Sequence, residues 1–100
     1  MMKSVSQIEN ILISNKSFLF QKYHLKELGI FGSYLRNEQK KESDLDVLVD
    51  YDYEQTPGLF SFVRLEEELS KLIGVQVDLV MKSALKPYIG KRILEEVHYL

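Results

Sequence analysis

The stretch from Phe31 to Asp50, FGSYLRNEQKKESDLDVLVD, decides the fold. An apolar run ends at Phe31, the chain breaks at Gly32-Ser33, and a charged loop leads into Asp44-Leu45-Asp46-Val47-Leu48-Val49. Successive side chains of a β-strand alternate between its two faces. Asp44 and Asp46 should therefore share one face, while the apolar residues between and after them are buried on the other.

Two carboxylates a few ångströms apart repel each other unless a cation lies between them, and divalent cations with oxygen ligands are the usual partners. Asp78, in the apolar segment Val75 to Val80, is a third candidate ligand because it alternates off the apolar face. We therefore predict Asp44, Asp46 and Asp78 as metal ligands. For Asp78 the competing interpretation is a polar residue on an open sheet face.

Gly32 and Ser33 predict an anion site. A glycine between a strand and a helix permits a sharp turn and close approach of a ligand, and N–H groups that open a helix attract phosphate. We expect a short helix from Ser33 to Gln39, with Arg36 on the same face as Ser33. Ser33 could instead be an ordinary helix cap, and Arg36 could either contact phosphate or pair with an acidic neighbour.

This arrangement resembles the nucleotidyltransferase superfamily typified by DNA polymerase β, and above all its minimal nucleotidyltransferase (MNT) domains. The family pattern is Gly-Ser, then Asp-x-Asp, then an acidic residue on a later strand, matched here by Gly32-Ser33, Asp44-x-Asp46 and Asp78. The resemblance covers nearly the whole chain. One departure is Asn37, where many members carry glycine after the arginine.

The remaining elements predict an α/β fold. Helices are expected at Ser4 to Ile13 with a Ser4-x-x-Gln7 capping box, at Ser17 to Tyr23, from Thr56-Pro57 to Gly74, and from Pro87 onward. Strands are expected at Leu25 to Phe31, Asp44 to Tyr51 and Val75 to Met81. The first two should be antiparallel and the third joined by a helical crossover, giving a small mixed sheet with helices packed on one face. Glu66, Glu67 and Glu68 read as a solvated helix face.

Composition is consistent with one domain over residues 1–100. Thirteen basic and fifteen acidic residues give a net charge of −2, which argues against direct nucleic-acid binding. The absence of cysteine fits a reducing cytoplasm, and the first residues match neither a signal peptide nor a membrane span. Four basic residues, Lys82, Lys86, Lys91 and Arg92, lie in a stretch without acids. A solvated flank is the favoured interpretation, with a partner or triphosphate contact as the alternative.

The resemblance implies an enzyme that uses ATP as substrate and two Mg²⁺ ions. The ions would be held by the three aspartates, which are the implied catalytic residues, and Gly32, Ser33 and Arg36 would bind the nucleotide. It further implies an antitoxin that adenylylates a tyrosine of a HEPN-domain RNase toxin, with which it forms a complex. Two alternatives stay open. The chain could be a catalytically idle antitoxin that occludes a HEPN partner, or it could adenylylate a small molecule.

Overall fold

A computed structural model of the protein describes residues 3–38, 40, 43–52 and 58–100. Four helices and four strands follow one another: α1 Val5–Ser14, α2 Lys16–Tyr23, β1 Leu25–Phe31, β2 Leu45–Tyr51, α3 Leu59–Ile73, β3 Val77–Met81, α4 Pro87–Glu96 and β4 His98–Tyr99. The 3₁₀ helix Lys82–Ala84 joins β3 to α4. Among the described residues, no helix combines the length and the apolar character needed to cross a bilayer.

The four strands form one mixed sheet in the order β3-β2-β1-β4. β1 and β2 are antiparallel, and β2 and β3 are parallel and joined through α3, which confirms the predicted topology. β4 pairs antiparallel with β1 at Gly29 and Ile30 and was not anticipated. Its two exposed residues are too short a segment to show an alternating pattern.

One face of the sheet packs against α1, α2 and α3 and forms the core. The strands contribute Leu28, Ile30, Leu45, Val47, Val49, Val77 and Leu79, and the helices contribute Ile8, Leu12, Leu19, Leu65, Leu69 and Ile73. The alternation predicted for β2 is confirmed, because Leu45, Val47 and Val49 are completely buried. The predicted α/β architecture, with helices packed on one face, thus has α1 to α3 over the apolar side of β2.

Helix α4 lies apart from this core, and Gly90 is its one buried residue. β3 runs parallel to β2, so both strands lead away from the end of the sheet that carries Asp46. α4 returns to that end, where Glu96 forms an ion pair with Arg36 in the turn after β1. Its first turn is therefore remote from the aspartates, and its last turn is next to them.

The helix ends follow their sequence signals where these are described. Ser4 and Gln7 form the reciprocal capping box at α1, and Gly74 closes α3 with φ of +80°. The predicted start at Thr56-Pro57 lies outside the described residues, and α3 is described from Leu59 onward with Gly58 before it.

The predicted helix from Ser33 to Gln39 is wrong over its described part, which is a series of turns. N–H groups of Arg36, Asn37 and Glu38 donate to carbonyls four, three and five residues back, so no regular helical ladder forms. Gly32 and Asn37 both have positive φ, at 82° and 59°, and leave only four residues between them. So short a segment cannot repay the cost of nucleating a helix. Asn37 tolerates this left-handed conformation as glycine does.

Candidate active site

Gly32 lies directly against the carboxylate of Asp46. A Cβ atom built on Gly32 would stand 2.0 Å from Asp46 Oδ2 and 2.9 Å from its Cγ. The φ of +82° at Gly32 is also one that side chains with a Cβ rarely adopt. Only glycine therefore allows the turn after β1 and the Asp46 carboxylate to touch, and this contact joins the two halves of the predicted motif.

Strand register brings Asp46 and Asp78 side by side. Asp46 is opposite Phe31 on β1 and opposite Asp78 on β3, so three adjacent strands align at this end of the sheet. Neighbouring strands lie about 4.8 Å apart, and side chains in register share a face. Asp44 precedes β2 by one residue and is exposed, as is Asp78. The three predicted carboxylates therefore meet at one end of β2 and β3.

The electrostatic environment of Asp46 is unfavourable to its charge. Burial raises the pKa of this carboxyl to about 6, and the charges of Asp78, Asp44 and Glu96 contribute to the rise. Arg36 acts in the opposite direction and does not cancel them. Asp46 thus belongs to a carboxylate cluster with more negative charge than its surroundings neutralise.

Within the part of the chain that the structure describes, no three or more His, Cys, Asp or Glu side chains are arranged so that they could hold a metal ion. The aspartates influence one another through their charge, but they do not form a ready coordination shell. Because Asp44 and Asp78 are exposed, their side chains have room to rotate toward Asp46.

The turn after Gly32 presents unused hydrogen-bond donors. No hydrogen bond from the Ser33 hydroxyl, or from the N–H groups of residues 33 to 35, is found among the described residues. The turn is anchored by Tyr34, which is buried in the main core cluster. Burial and the nearby charge of Asp44 raise the pKa of the Tyr34 hydroxyl. The core therefore holds a donor-rich turn beside the aspartates, even though no helix follows it.

Arg36 is engaged in ion pairs with Glu96 and, at 3.4 Å, with Glu38. In this structure it therefore takes the second of its two predicted roles, pairing with acidic neighbours. A guanidinium carries five N–H donors, and the Arg36 side chain is 49% exposed, so donors remain for an anion. Contact between Arg36 and phosphate stays a prediction.

Two residues of this site were missed from the sequence. Tyr34 follows the Gly-Ser pair directly, so an aromatic residue at the start of the turn was a usable signal for an anchor. Glu96 lies 60 residues from Arg36, and nothing local to the last helix indicates that it approaches the aspartates. Its contribution depends on the path of α4 across the molecule.

Comparison with known proteins agrees with this geometry. Residues 8–100 match the model of the nucleotidyltransferase domain family. The chain belongs to the nucleotidyltransferase family. Protein adenylyltransferase MntA of Thermococcus cleftensis is 48% identical over 99 residues, which are 99% of this chain and 98% of that protein. The predicted family and enzyme class are thereby confirmed.

Solved structures show the same nucleotidyltransferase fold. A structure described as a "putative minimal nucleotidyltransferase" superposes with a TM-score of 0.74 at 30% identity, covering 93% of this chain and 95% of that one. The MNT antitoxin in complex with a tri-AMPylated Shewanella oneidensis HEPN toxin gives a TM-score of 0.65 at 19% identity, covering 93% and 70%. At that identity the second likeness concerns the fold alone.

Proposed function

We propose that this nucleotidyltransferase transfers AMP from ATP to a tyrosine hydroxyl of a HEPN-domain toxin and so acts as its antitoxin. The observation that carries the proposal is the alignment of Phe31, Asp46 and Asp78 on adjacent strands, with Gly32 against the Asp46 carboxylate. The alignment supports the proposal because it brings the donor-rich turn after β1 next to the carboxylate cluster. The protein adenylyltransferase name of the Thermococcus relative supports the reaction, and the Shewanella complex supports the partner.

Asp44, Asp46 and Asp78 suit Mg²⁺ by their chemistry. All three offer oxygen ligands, which this hard cation prefers. Burial, and after it the charges of neighbouring carboxylates, raise the pKa of Asp46, and a bound cation would offset both effects. When bound, Mg²⁺ would neutralise charge on the triphosphate and favour ionisation of the acceptor hydroxyl.

The turn after β1 would hold the phosphates. The Ser33 hydroxyl and the N–H groups of residues 33 to 35 are donors without partners among the described residues, and charge-assisted hydrogen bonds to phosphate are the strong kind. Arg36, at the edge of the turn, would add a cationic contact while one side of its guanidinium stays on Glu96. Because Gly32 has no Cβ atom, its backbone lies against Asp46, and the phosphates could therefore lie close to this carboxylate.

The transfer balances as a displacement at the α-phosphorus. The acceptor oxygen forms a bond to this phosphorus, the bond to the bridging oxygen breaks, and pyrophosphate leaves. The proton of the acceptor hydroxyl passes to the carboxylate of Asp78, which is exposed at the edge strand β3 and so is accessible to an incoming group.

A protein acceptor suits this open site. The described residues form one sheet with four helices, and Asp78 faces solvent, so a docking partner must hold its own hydroxyl in line with the phosphorus. That positioning supplies much of the rate enhancement. A tyrosine is favoured because its phenol, with an ordinary pKa of about 10, ionises far more readily than an aliphatic hydroxyl.

The test is an in vitro labelling reaction with purified HEPN partner, Mg²⁺ and ATP. Label from the α-phosphate should enter the partner on a tyrosine, and label from the γ-phosphate should not. The Asp44→Asn/Asp46→Asn variant serves as the inactive control. A tight complex that never acquires label would replace the proposal with an occluding antitoxin, and labelling of small molecules alone would replace it with the third alternative.

A further inference from the structure

The segment from Lys82 to Leu94 carries a charge opposite to that of the rest of the chain. It contains Lys82, Lys86, Lys91 and Arg92 and no acid, whereas the other nine basic residues are outnumbered by all fifteen acidic ones. Because the whole chain has a net charge of −2, this cationic strip is a local concentration of positive charge. Such a strip complements an acidic partner surface and accelerates encounter with it.

This segment also forms a groove of about 420 Å³ between the chain before α4 and the helix itself. Its lining consists of Lys82, Leu85, Lys86, Pro87, Gly90, Lys91, Leu94 and Glu95. Gly90 is required for its shape, because a Cβ there would lie 2.8 Å from Leu85 Cβ. Aliphatic side chains and Pro87 thus share the lining with three lysines.

Apolar side chains of α4 are exposed in the groove and outside it, and of the three most exposed only Leu94 lines the groove. Tyr88 is 91% exposed, Ile89 62% and Leu94 42%. A helix whose apolar residues face solvent is the kind of surface that an amphipathic partner element covers. Among the described residues, the groove itself is lined mainly by aliphatic and basic side chains, with no aromatic one, whereas a nucleic-acid site would present mainly basic and stacking aromatic groups.

The groove lies at the first turn of α4, and the helix leads from it toward the active site. Lys82 Nζ donates to Glu27 Oε1 at 2.8 Å, which fixes one wall to β1. From Pro87 to Glu96, α4 extends about 15 Å at 1.5 Å per residue, and Glu96 reaches Arg36 beside the aspartates. A partner element lying along α4 from this groove would therefore end at the carboxylate cluster.

We propose that the groove and the exposed face of α4 form the docking surface for the protein acceptor, and that its occupant is an acidic amphipathic helix of that protein. The inference rests on the proposed function. Carboxylates of the occupant would pair with Lys86 and Lys91, while its apolar side chains would lie on Leu85, Pro87 and Leu94. Docking at this surface, remote from the aspartates, would hold the acceptor protein in place, which the open active site does not do by itself.

The test compares two double charge reversals by isothermal titration calorimetry with the purified HEPN protein. Lys86→Glu/Lys91→Glu should weaken binding at least tenfold. Lys16→Glu/Lys71→Glu, on α2 and α3, changes the net charge equally and should stay within twofold of wild type. Leu94→Ala, which truncates the apolar lining without altering charge, should weaken binding several-fold. Thermal melting of each variant confirms that it is folded.

Labelling kinetics separate this inference from the proposed function. The Lys86→Glu/Lys91→Glu variant should raise the KM for the HEPN protein, with the KM for ATP and the kcat at saturating partner unchanged. Wild-type affinity for the HEPN protein, or an unchanged KM for it, in that variant would overturn the docking surface and leave the function standing. No labelling by wild type would instead overturn the function. An RNA oligonucleotide that binds through Lys86 and Lys91, with HEPN affinity unaltered, would assign the strip to nucleic acid.

Discussion

The aspartates at the start of β2 and β3 and the glutamates in the middle of α3 form two acidic groups with opposite surroundings. In α3, Glu66 Oε2 accepts a hydrogen bond from the Leu79 N–H at 2.9 Å. Glu68 accepts from Lys22 Nζ at 3.0 Å and from the Tyr23 hydroxyl. Each of these carboxylates therefore joins the helix to another element and stabilises the fold.

The aspartates have no comparable support. No hydrogen bond to the side chain of Asp44, Asp46 or Asp78 is found among the described residues, and the pKa of Asp46 is raised where that of Glu68 is lowered. Uncompensated charge of this kind is what a site for a cationic ligand requires. Side chains of one chemical class thus serve the fold in one region and, in our proposal, a ligand in the other, and substitutions should separate the two roles.

The largest effect should come from removing charge at the aspartates. Asp44→Asn with Asp46→Asn should reduce AMP transfer about a thousandfold or more, because several kcal/mol of transition-state stabilisation is lost. Metal-free thermal melting should be unchanged or higher, since repulsion between carboxylates is relieved. Glu67→Gln, on the exposed side of α3, removes one carboxylate charge away from the site and should leave both quantities as they are. Wild-type transfer by the double variant would remove the aspartates from the mechanism.

A second, smaller effect is expected at Gly32. Gly32→Ala places a Cβ 2.0 Å from Asp46 Oδ2 and demands a residue with a Cβ at φ of +82°. The carboxylate must move, and a displacement of about 1 Å costs about a hundredfold in rate. Gly58→Ala is the control because φ is −76° there and the space around a Cβ is open. Steady-state labelling gives the comparison, and a fully active Gly32→Ala enzyme would show that the contact is dispensable.

The same two regions show which features of the fold and the site can be predicted from the sequence. Three local patterns predict the structure correctly. The alternation in Leu45 to Val49 predicts the buried face of β2, Gly32-Ser33 predicts the end of β1, and Asp78 is predicted off the apolar face and is exposed. The sequence predicts a solvated helix face for the three glutamates of α3, and this is correct for Glu67 alone. Glu66, Glu68 and Glu96 meet partners 13, 45 and 60 residues away. Such pairs depend on how elements pack, which no local periodicity encodes.

The short helix after Gly32 failed for a different reason. Its residues are compatible with a helix, but Tyr34 is drawn into the core and Asn37 adopts φ of 59°. Tertiary burial therefore decided the local conformation. The N–H groups predicted as donors are still available, because this turn, like the first turn of a helix, leaves them without intrachain acceptors among the described residues.

Ser33→Ala should now affect the nucleotide and spare the fold. With no helix to cap and no partner for the hydroxyl among the described residues, thermal melting should not change. Loss of a hydrogen bond to a charged phosphate should weaken ATP binding by about 1.5–3 kcal/mol. Calorimetric titration with Mg²⁺ and a non-hydrolysable ATP analogue measures this, with Ser61→Ala in α3 as control. A variant that only melts earlier would restore a purely structural role.

Glu66→Ala should show the reverse pattern. The Leu79 N–H on edge strand β3 would lose its acceptor, which costs about 1–3 kcal/mol for a buried donor. Glu67→Ala is the adjacent control and should fall within about 0.5 kcal/mol of wild type, because its side chain faces solvent. Urea unfolding of both variants gives the two free energies. Equal stability would mean that the Glu66 contact contributes nothing to the fold.

The smallest effect concerns the acid sensitivity that Glu68 confers. Burial raises the pKa of Glu68, but hydrogen bonds from Tyr23 and Lys22 outweigh it and bring the pKa below the ordinary 4.5. The unfolded chain thus binds this proton more tightly than the folded one, so the stabilisation is complete above pH 4.5 and declines as the pH falls through the lowered value. Asp46 contributes to the pH dependence of stability with the opposite sign, because its pKa is raised.

Urea unfolding at pH 7 and pH 4 should therefore be compared in the metal-free Asp44→Asn/Asp46→Asn background, with and without Glu68→Gln. The parent should lose more free energy of unfolding on acidification than the variant with Glu68→Gln. An identical loss in both would show that the Tyr23 and Lys22 contacts of Glu68 do not stabilise the fold, and the distinction between the two acidic groups would then rest on Glu66.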